Sequence, residues 1–461
     1  MLNDEWTLND KLGHHVIVDQ IIKKVETIQP PFTLGIYGGW GSGKTSIMKQ
    51  VYYMVGGIQK SYILPFNQNP EKEEINEENQ QTIEDMRVDA KDHEAIWFNP
   101  WKHEIEANPL LGLLHEIREH FSLYNKGTTQ AQKLADVSVR MGLDILTNTI
   151  KEVMKIDLNP SNIEKYGKKY EDNNFETRSS TQNFRIIFES AIKKLLNGED
   201  KKLIIFIDDL DRCTDKKVIK LLEGIKLYLS TSNCIFIFGM DKNNVLRALE
   251  KNQIHEEYLD KLFQSVIRIP ISQKYEEFIT SVIVNEYFTN ELKTEEDKKE
   301  FSNLVTSIIE KNPRKIKNFT NSLKFYWDMK TDETLNLKTF TLFHYLRIHH
   351  EDIFEILERE PSFFNSLINI CNNEHPNSKI DSYFYSILKN PIIENTRELT
   401  EEDTTDEAQI TNKSNLDIEE VLDIKNSRIK FRGLENFKNF MSKYCNELNE
   451  ANVLNYLGVI H

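Results

Sequence analysis

The sequence predicts a parallel α/β sheet with helices on both faces, followed by a helical lid and a mainly helical C-terminal region. Three observations carry that expectation. A glycine-rich loop, Leu34-Gly-Ile-Tyr-Gly-Gly-Trp-Gly-Ser-Gly-Lys-Thr-Ser46, joins a short apolar strand to a helix. A fully apolar run, Leu203 to Ile207, ends in the acids Asp208 and Asp209. Three further apolar runs, at 94–99, 234–241 and 265–270, mostly alternate with helical stretches, the pattern of parallel strands linked by right-handed crossovers.

The chain begins with apolar positions 17, 18, 21, 22, 25 and 28 at helical spacing, and Pro30-Pro31 ends that helix. Packing against the sheet is its expected role, with Leu12 and Gly13 as an approach to a nucleotide base. Phe32 to Tyr37 then reads as the first strand and Ser46 to Val55 as the helix after the loop, stopped by Gly56-Gly57. Between them, Gly38, Gly43, Lys44 and Thr45 stand at the G-x-x-x-x-G-K-[ST] spacing of a phosphate-binding loop. Gly38, Gly39, Gly41 and Gly43 free the backbone to curl its N–H groups around a phosphate at the start of a helix. Ser42 and Ser46 complete the expected binding set. Lys44 adds positive charge near the β- and γ-phosphates, and Thr45 offers a hydroxyl to Mg²⁺, which points to a nucleoside triphosphate rather than a bare anion.

Residues 65–93 are rich in Asn, Gln and Glu and read as an inserted loop or a disordered segment. Glu94 to Asn99 reads as a second strand, broken by Pro100-Trp101 before an amphipathic helix at 109–118. Leu134, Val137, Met141, Ile145, Ile150, Val153 and Ile156 carry another helical pattern, and 157–180 reads as a second polar insertion. The run from Leu203 to Ile207 is apolar throughout, as a strand buried on both faces requires, and it delivers Asp208 at its carboxyl end, where such sheets bind ligands. Asp208 is the expected Mg²⁺ anchor, acting through water. Asp209 or Asp211 is the expected base that orients and deprotonates the attacking water. Cys234 to Asp241 repeats the strand-then-acid design. Because the Asp208 strand does not follow the phosphate loop directly, the expected sheet has an extra strand between the two, as in AAA-like ATPases. Asn312 and Pro313 predict an N-cap and first turn holding Arg314, a cation placed against the helix dipole and therefore a candidate for facing the γ-phosphate.

The expected domains are a core over 1–270, a helical lid over 271–330 and a C-terminal region over 331–461. Composition is that of a globular protein, 39% hydrophobic and 28% charged. The net charge of -15 is concentrated: residues 71–94 hold ten acids and three bases, and 394–407 hold seven acids and one base. Acidity is thus a property of two solvated segments and not of a surface built to repel nucleic acid. The four cysteines, 213, 234, 371 and 445, form no C-x-x-C pair, which fits a reducing cytoplasm. No signal-peptide layout and no apolar run of about 18 residues is present, so neither export nor a membrane span is expected.

Three blocks together resemble one family: the Trp-Gly-Ser-Gly-Lys core of the phosphate loop, Trp97-Phe-Asn-Pro-Trp101, and Phe206-Ile-Asp-Asp-Leu-Asp-Arg212. They are similar to the KAP family of P-loop NTPases, as are Tyr258 to Phe263 and Asn312 to Phe319, so the resemblance covers roughly residues 5–330. It implies ATP binding and hydrolysis coupled to conformational change, with bacterial members often found in defence against phage and plasmids. The membrane-spanning insertion of many members is absent from this sequence. A protein partner or effector subunit is expected, and a homo-oligomer is compatible. A nucleic-acid-dependent motor or loader is the alternative; the basic run Lys425, Arg428, Lys430, Arg432, Lys438 and Lys443 could track a phosphate backbone, though a solvated helix face is the favoured reading of it. A scaffold that binds nucleotide only to fold is a third reading, disfavoured by the presence of both metal and base groups.

Overall fold

A computed structural model describes residues 2, 5–59, 61–63, 70–72, 74–86, 88–103, 109–124, 200–225, 231–330, 335–359, 434–444 and 447–460, with isolated residues between 186 and 196 and between 361 and 368. The helical pattern at 131–156, the insertion at 157–180, the acidic stretch at 394–407 and the basic positions from 425 to 432 lie outside the described residues. The chain divides into two units, residues 4–274 and residues 275–461 with 1–3.

The first unit is built on a five-stranded sheet. In chain order its strands are β1 (Phe32–Tyr37), β4 (Glu94–Phe98), β5 (Leu203–Ile207), β6 (Cys234–Met240) and β7 (Ser265–Arg268); β2 (Ser61–Ile63) and β3 (Pro70–Lys72) form a separate antiparallel pair. The sheet order is β4-β5-β6-β1-β7 and every pairing is parallel. β6 therefore separates the phosphate-loop strand β1 from β5, the arrangement expected from the sequence.

Every residue of β1, β5 and β6 is buried, because helices cover both faces. On one face Ile204, Phe206, Ile235 and Ile237 meet α1 (His15–Thr27) and α2 (Lys44–Met54). On the other, Ile205, Ile207, Phe236 and Phe238 meet α4 (Pro109–Tyr124), α5 (Asp215–Ile225) and α6 (Lys242–Lys251). Alternation along each strand assigns side chains to the two faces, and burying each large apolar side chain contributes about 1.5–3 kcal/mol.

One expectation is corrected here. The polar stretch 65–93 contains a helix, α3 (Glu77–Met86), as well as β3. No apolar stripe announces it, because α3 is held mainly by Ile83 in the core and by buried Asn79. The Asn79 carboxamide accepts from Leu8 N–H at 2.8 Å and donates to the Trp6 carbonyl at 3.1 Å.

The second unit is helical among its described residues. A short α7 (Glu257–Leu262) precedes β7 in the first unit; the second then has α8 (Tyr275–Phe278), a π-helical stretch Ile279–Val284, α9 (Asn285–Tyr287), α10 (Glu295–Ile308), α11 (Pro313–Asp328), α12 (Leu337–His349), α13 (Glu351–Arg359), α14 (Leu434–Tyr444) and α15 (Glu450–Ile460). Thr294 and Asp297 form a reciprocal capping box on α10. α12 is buried nearly throughout: Phe340 and Phe343 pack on Tyr456 of α15, and Tyr345 stacks on Phe440 of α14. Among the described residues no helix is long and apolar enough to cross a membrane.

His344 lies inside this packing with Nδ1 3.0 Å from the Tyr456 hydroxyl. Burial, then the charges of Arg347 and His349, pushes its imidazole down to about 3, and burial, then His349, pushes His350 down to about 4. Both rings are neutral in the fold, whereas the unfolded chain carries histidines with the usual value of 6.5 and binds more protons below it. Their contribution is therefore complete above that value and drains away as the pH falls toward the folded values. The urea midpoint should drop from about pH 7 to about pH 5, and His344→Gln should flatten that drop. An unchanged slope in the variant would place the acid sensitivity elsewhere.

Candidate functional site

The site forms at the carboxyl ends of β1, β5 and β6. Ile36 pairs with Gly239 and Ile207 with Phe238, so the carboxyl ends of the three strands open on one edge of the sheet. The loop 38–43, with Gly38, Gly39, Gly41 and Ser42, leaves β1, and Gly43 takes φ 91° before α2 starts at Lys44. A side chain at that φ is strained, which accounts for glycine there. Thr45 Oγ1 donates to Asp208 Oδ2 at 2.7 Å, joining the loop helix to the strand end. β6 has to leave room for this pair: a Cβ on Gly239 would lie 2.7 Å from Asp208 Oδ1 and 2.3 Å from Met48 Sδ.

Charge in the site is balanced internally. Lys44 is buried, and its Nζ donates to the carbonyls of Gly38 at 2.7 Å and Gly39 at 3.0 Å. Burial first, and the neighbouring Asp209 second, push the Asp208 carboxyl well above the usual carboxylate range. Asp208 Oδ1 is buried without a hydrogen bond, a cost of about 1–3 kcal/mol for such an acceptor. Thr45 and Asp208 are oxygen donors of the kind Mg²⁺ takes, and a cation at Oδ1 would relieve both the desolvation and the like-charge repulsion. Ser46 is used differently: its Oγ accepts from Thr7 N–H at 3.1 Å and ties down the N-terminal segment.

Of the two candidate bases, the geometry separates Asp209 from Asp211. Asp209 has φ 59°, ψ 29°, in the left-handed region that a residue with a side chain enters at a cost. Its carboxylate is gripped from two sides, accepting from Asn99 Nδ2 at 2.8 Å on Oδ2 and from Arg212 Nε at 2.7 Å on Oδ1. With Thr45, Asp208 and Asn99 it lines a cavity of about 250 Å³. Asp211 lines a different cavity, with Asp215, Asn244, Arg247 and Lys251. Asp241 caps α6, its Oδ1 accepting from Asn243 N–H at 3.0 Å. Arg314 belongs to the second unit, where Asn312 Oδ1 accepts from its N–H at 3.1 Å and caps α11, as the sequence predicts.

Two residues join this cluster that the sequence reading did not place in it. Asn99 stands one residue beyond β4, and Trp101 N–H donates to its Oδ1 at 3.2 Å in a turn that buried Pro100 begins. Arg212 closes the 3₁₀ turn Leu210–Arg212. Both lie inside the Trp-Phe-Asn-Pro-Trp and Asp-Asp-Leu-Asp-Arg blocks, and a polar residue just past a strand, Asn99 directly and Arg212 after one turn, was the available signal. Lys49, buried on α2, also lines the larger cavity, its Nζ 3.9 Å from the Trp97 ring centroid.

Comparison with known proteins agrees with this geometry. The chain is 24% identical over 172 residues to "Uncharacterized protein MJ0182" of Methanocaldococcus jannaschii, an alignment covering 31% of this chain and 88% of that protein. The profile described as "KAP family P-loop domain" matches residues 15–327, more than half of the sequence. The sheet order, the phosphate loop facing Asp208 and this match lead to one conclusion: the chain belongs to the KAP family of P-loop NTPases.

Proposed function

We propose that this protein is a Mg²⁺-dependent ATPase that works as a conformational switch. The observation that carries the reading is the 2.7 Å bond between Thr45 and Asp208 with Asp209 beside it, which gathers a hydroxyl, a buried carboxylate and a clamped second carboxylate at the end of the phosphate loop. Loop amides from Gly38 to Lys44 bind the phosphates, and Lys44 exchanges the Gly38 and Gly39 carbonyls for phosphate oxygens. Thr45 and Asp208 hold the metal, which when bound neutralises charge on the β- and γ-phosphates. Asp209 orients the attacking water and takes its proton. Asp209 is preferred over Asp211 because it shares the cavity with Thr45 and Asp208.

The switch reading assigns Arg314 to sensing the γ-phosphate, on the strength of its place in the first turn of α11. A protein partner or effector is what such a switch would act on. A role in defence against phage or plasmids rests on the family resemblance and on no residue of the site.

Lys44→Ala should weaken ATP binding by at least tenfold in calorimetric titration, because a charged phosphate contact is worth about 1.5–3 kcal/mol, while leaving the fold intact. Unchanged affinity would make the loop structural and end the ATPase reading. Asp209→Asn should keep Mg²⁺-ATP bound and lower kcat by about 10²-fold or more, with Asp211→Asn close to wild type. The reverse ranking would move the base to Asp211. Arg314→Ala should bind ATP normally, turn it over slowly and give the same proteolytic pattern with ATP as with ADP; a digest that still distinguishes the two nucleotides would remove Arg314 as the sensor.

A further inference from the structure

The proposed hydrolysis gives Arg212 no task. With Asn99 on Oδ2 and Arg212 on Oδ1, each carboxylate oxygen of Asp209 already holds a donor, so an attacking water that bonds Oδ1 shares that oxygen with a cation. Arg212 is itself seated between two tryptophans, its guanidinium carbon 5.9 Å from the ring centroid of Trp40 and 5.9 Å from that of Trp101. Trp40 belongs to the phosphate loop and is 58% exposed, and Trp101 follows Asn99 and is 46% exposed. Arg212 thus connects the carboxylate of Asp209 to the middle of the loop that a phosphate must rearrange, since Lys44 has to leave the Gly38 and Gly39 carbonyls to meet it.

We propose that Arg212 is a positioning residue that latches Asp209 in the resting state, and that triphosphate binding, by shifting Trp40, draws the guanidinium off Oδ1 and leaves that oxygen to the attacking water. The latch deepens the ATPase reading above and rests on it. Its strength suits the task. The side chains are 32% exposed for Arg212 and 18% for Asp209, and a partly solvated pair of this kind shifts an equilibrium by up to about fivefold. A bound triphosphate, with several charge-assisted contacts, outweighs that, whereas a fully buried pair would resist it. The seat between two aromatic faces gives the released guanidinium a place to go without facing bulk water alone.

The test is Arg212→Gln, which keeps a polar side chain on the surface turn and removes the cation, with Arg212→Lys as the charge-retaining companion. Arg212→Gln should lower the ATP dissociation constant and KM by about two- to fivefold, because binding no longer has to open the latch, and Arg212→Lys should return both to near the wild-type values. Tryptophan fluorescence supplies a readout that does not need turnover. A non-hydrolysable ATP analogue with Mg²⁺ should change wild-type emission, Trp40→Phe should remove most of that change, and Arg212→Gln should reduce it. A fall in kcat for Arg212→Gln would overturn the latch and make Arg212 a direct participant in hydrolysis; an unmoved ATP dissociation constant, or a Trp40 signal that ignores Arg212, overturns it as well. A wild-type protein that binds ATP without hydrolysing it contradicts the proposed function, and the latch is then decided by the dissociation constant and the fluorescence.

Discussion

The hydrogen bond from Thr45 to Asp208 spans 163 residues of sequence, and the arrangement of the first unit depends on what lets it close at 2.7 Å. β1 has to end level with β6 and β5 two residues short of it, so that the acid follows beside Gly239, which the β1–β6 and β5–β6 registers provide. The intervening strand has to be slim at that level, which Gly239 provides. The helix after the loop has to begin at Lys44, so that Thr45 points along the strand ends, and the left-handed Gly43 provides that start. A side chain at Gly239 would press on Asp208 and Met48 together, separating the loop from the acid from a position outside both motifs.

Most of the charged groups of the site are bonded to one another or to their own loop. Lys44 is bonded to two carbonyls of its own loop, Asp208 to Thr45, and Asp209 to Asn99 and Arg212. The largest unmet demand among these groups is Asp208 Oδ1, buried beside a second carboxylate and without a hydrogen bond. That pattern favours a ligand that brings both an anion, to take Lys44 from its carbonyls, and a cation, to meet Asp208. A metal–triphosphate complex does so, whereas phosphate alone would add negative charge beside two carboxylates.

Much of the first unit was legible in sequence because its signals are local. Five apolar runs gave the five strands, the glycine spacing gave the phosphate loop, and the late position of Asp208 gave the extra strand in the sheet order. The contacts that shape the rest are long-range and leave no period. Asn99 meets Asp209 across 110 residues, and Arg212 finds its seat between Trp40 and Trp101 only after folding. Lys49, a lysine inside a helix, reads as solvent-exposed, yet it is buried against Trp97. α3 escaped because a buried carboxamide does work that an apolar stripe does elsewhere. Asp241, an acid directly before a helix, caps it, a role legible on local grounds.

The most direct measurement is a crystal structure of the full chain with Mg²⁺ and a non-hydrolysable ATP analogue. The account predicts Lys44 Nζ moved from the Gly38 and Gly39 carbonyls to the phosphates, the metal beside Thr45 and Asp208, and Asp209 within reach of a water in line with the γ-phosphate. A nucleotide bound with Lys44 still on its carbonyls, or with its γ-phosphate away from Asp208 and Asp209, would contradict it.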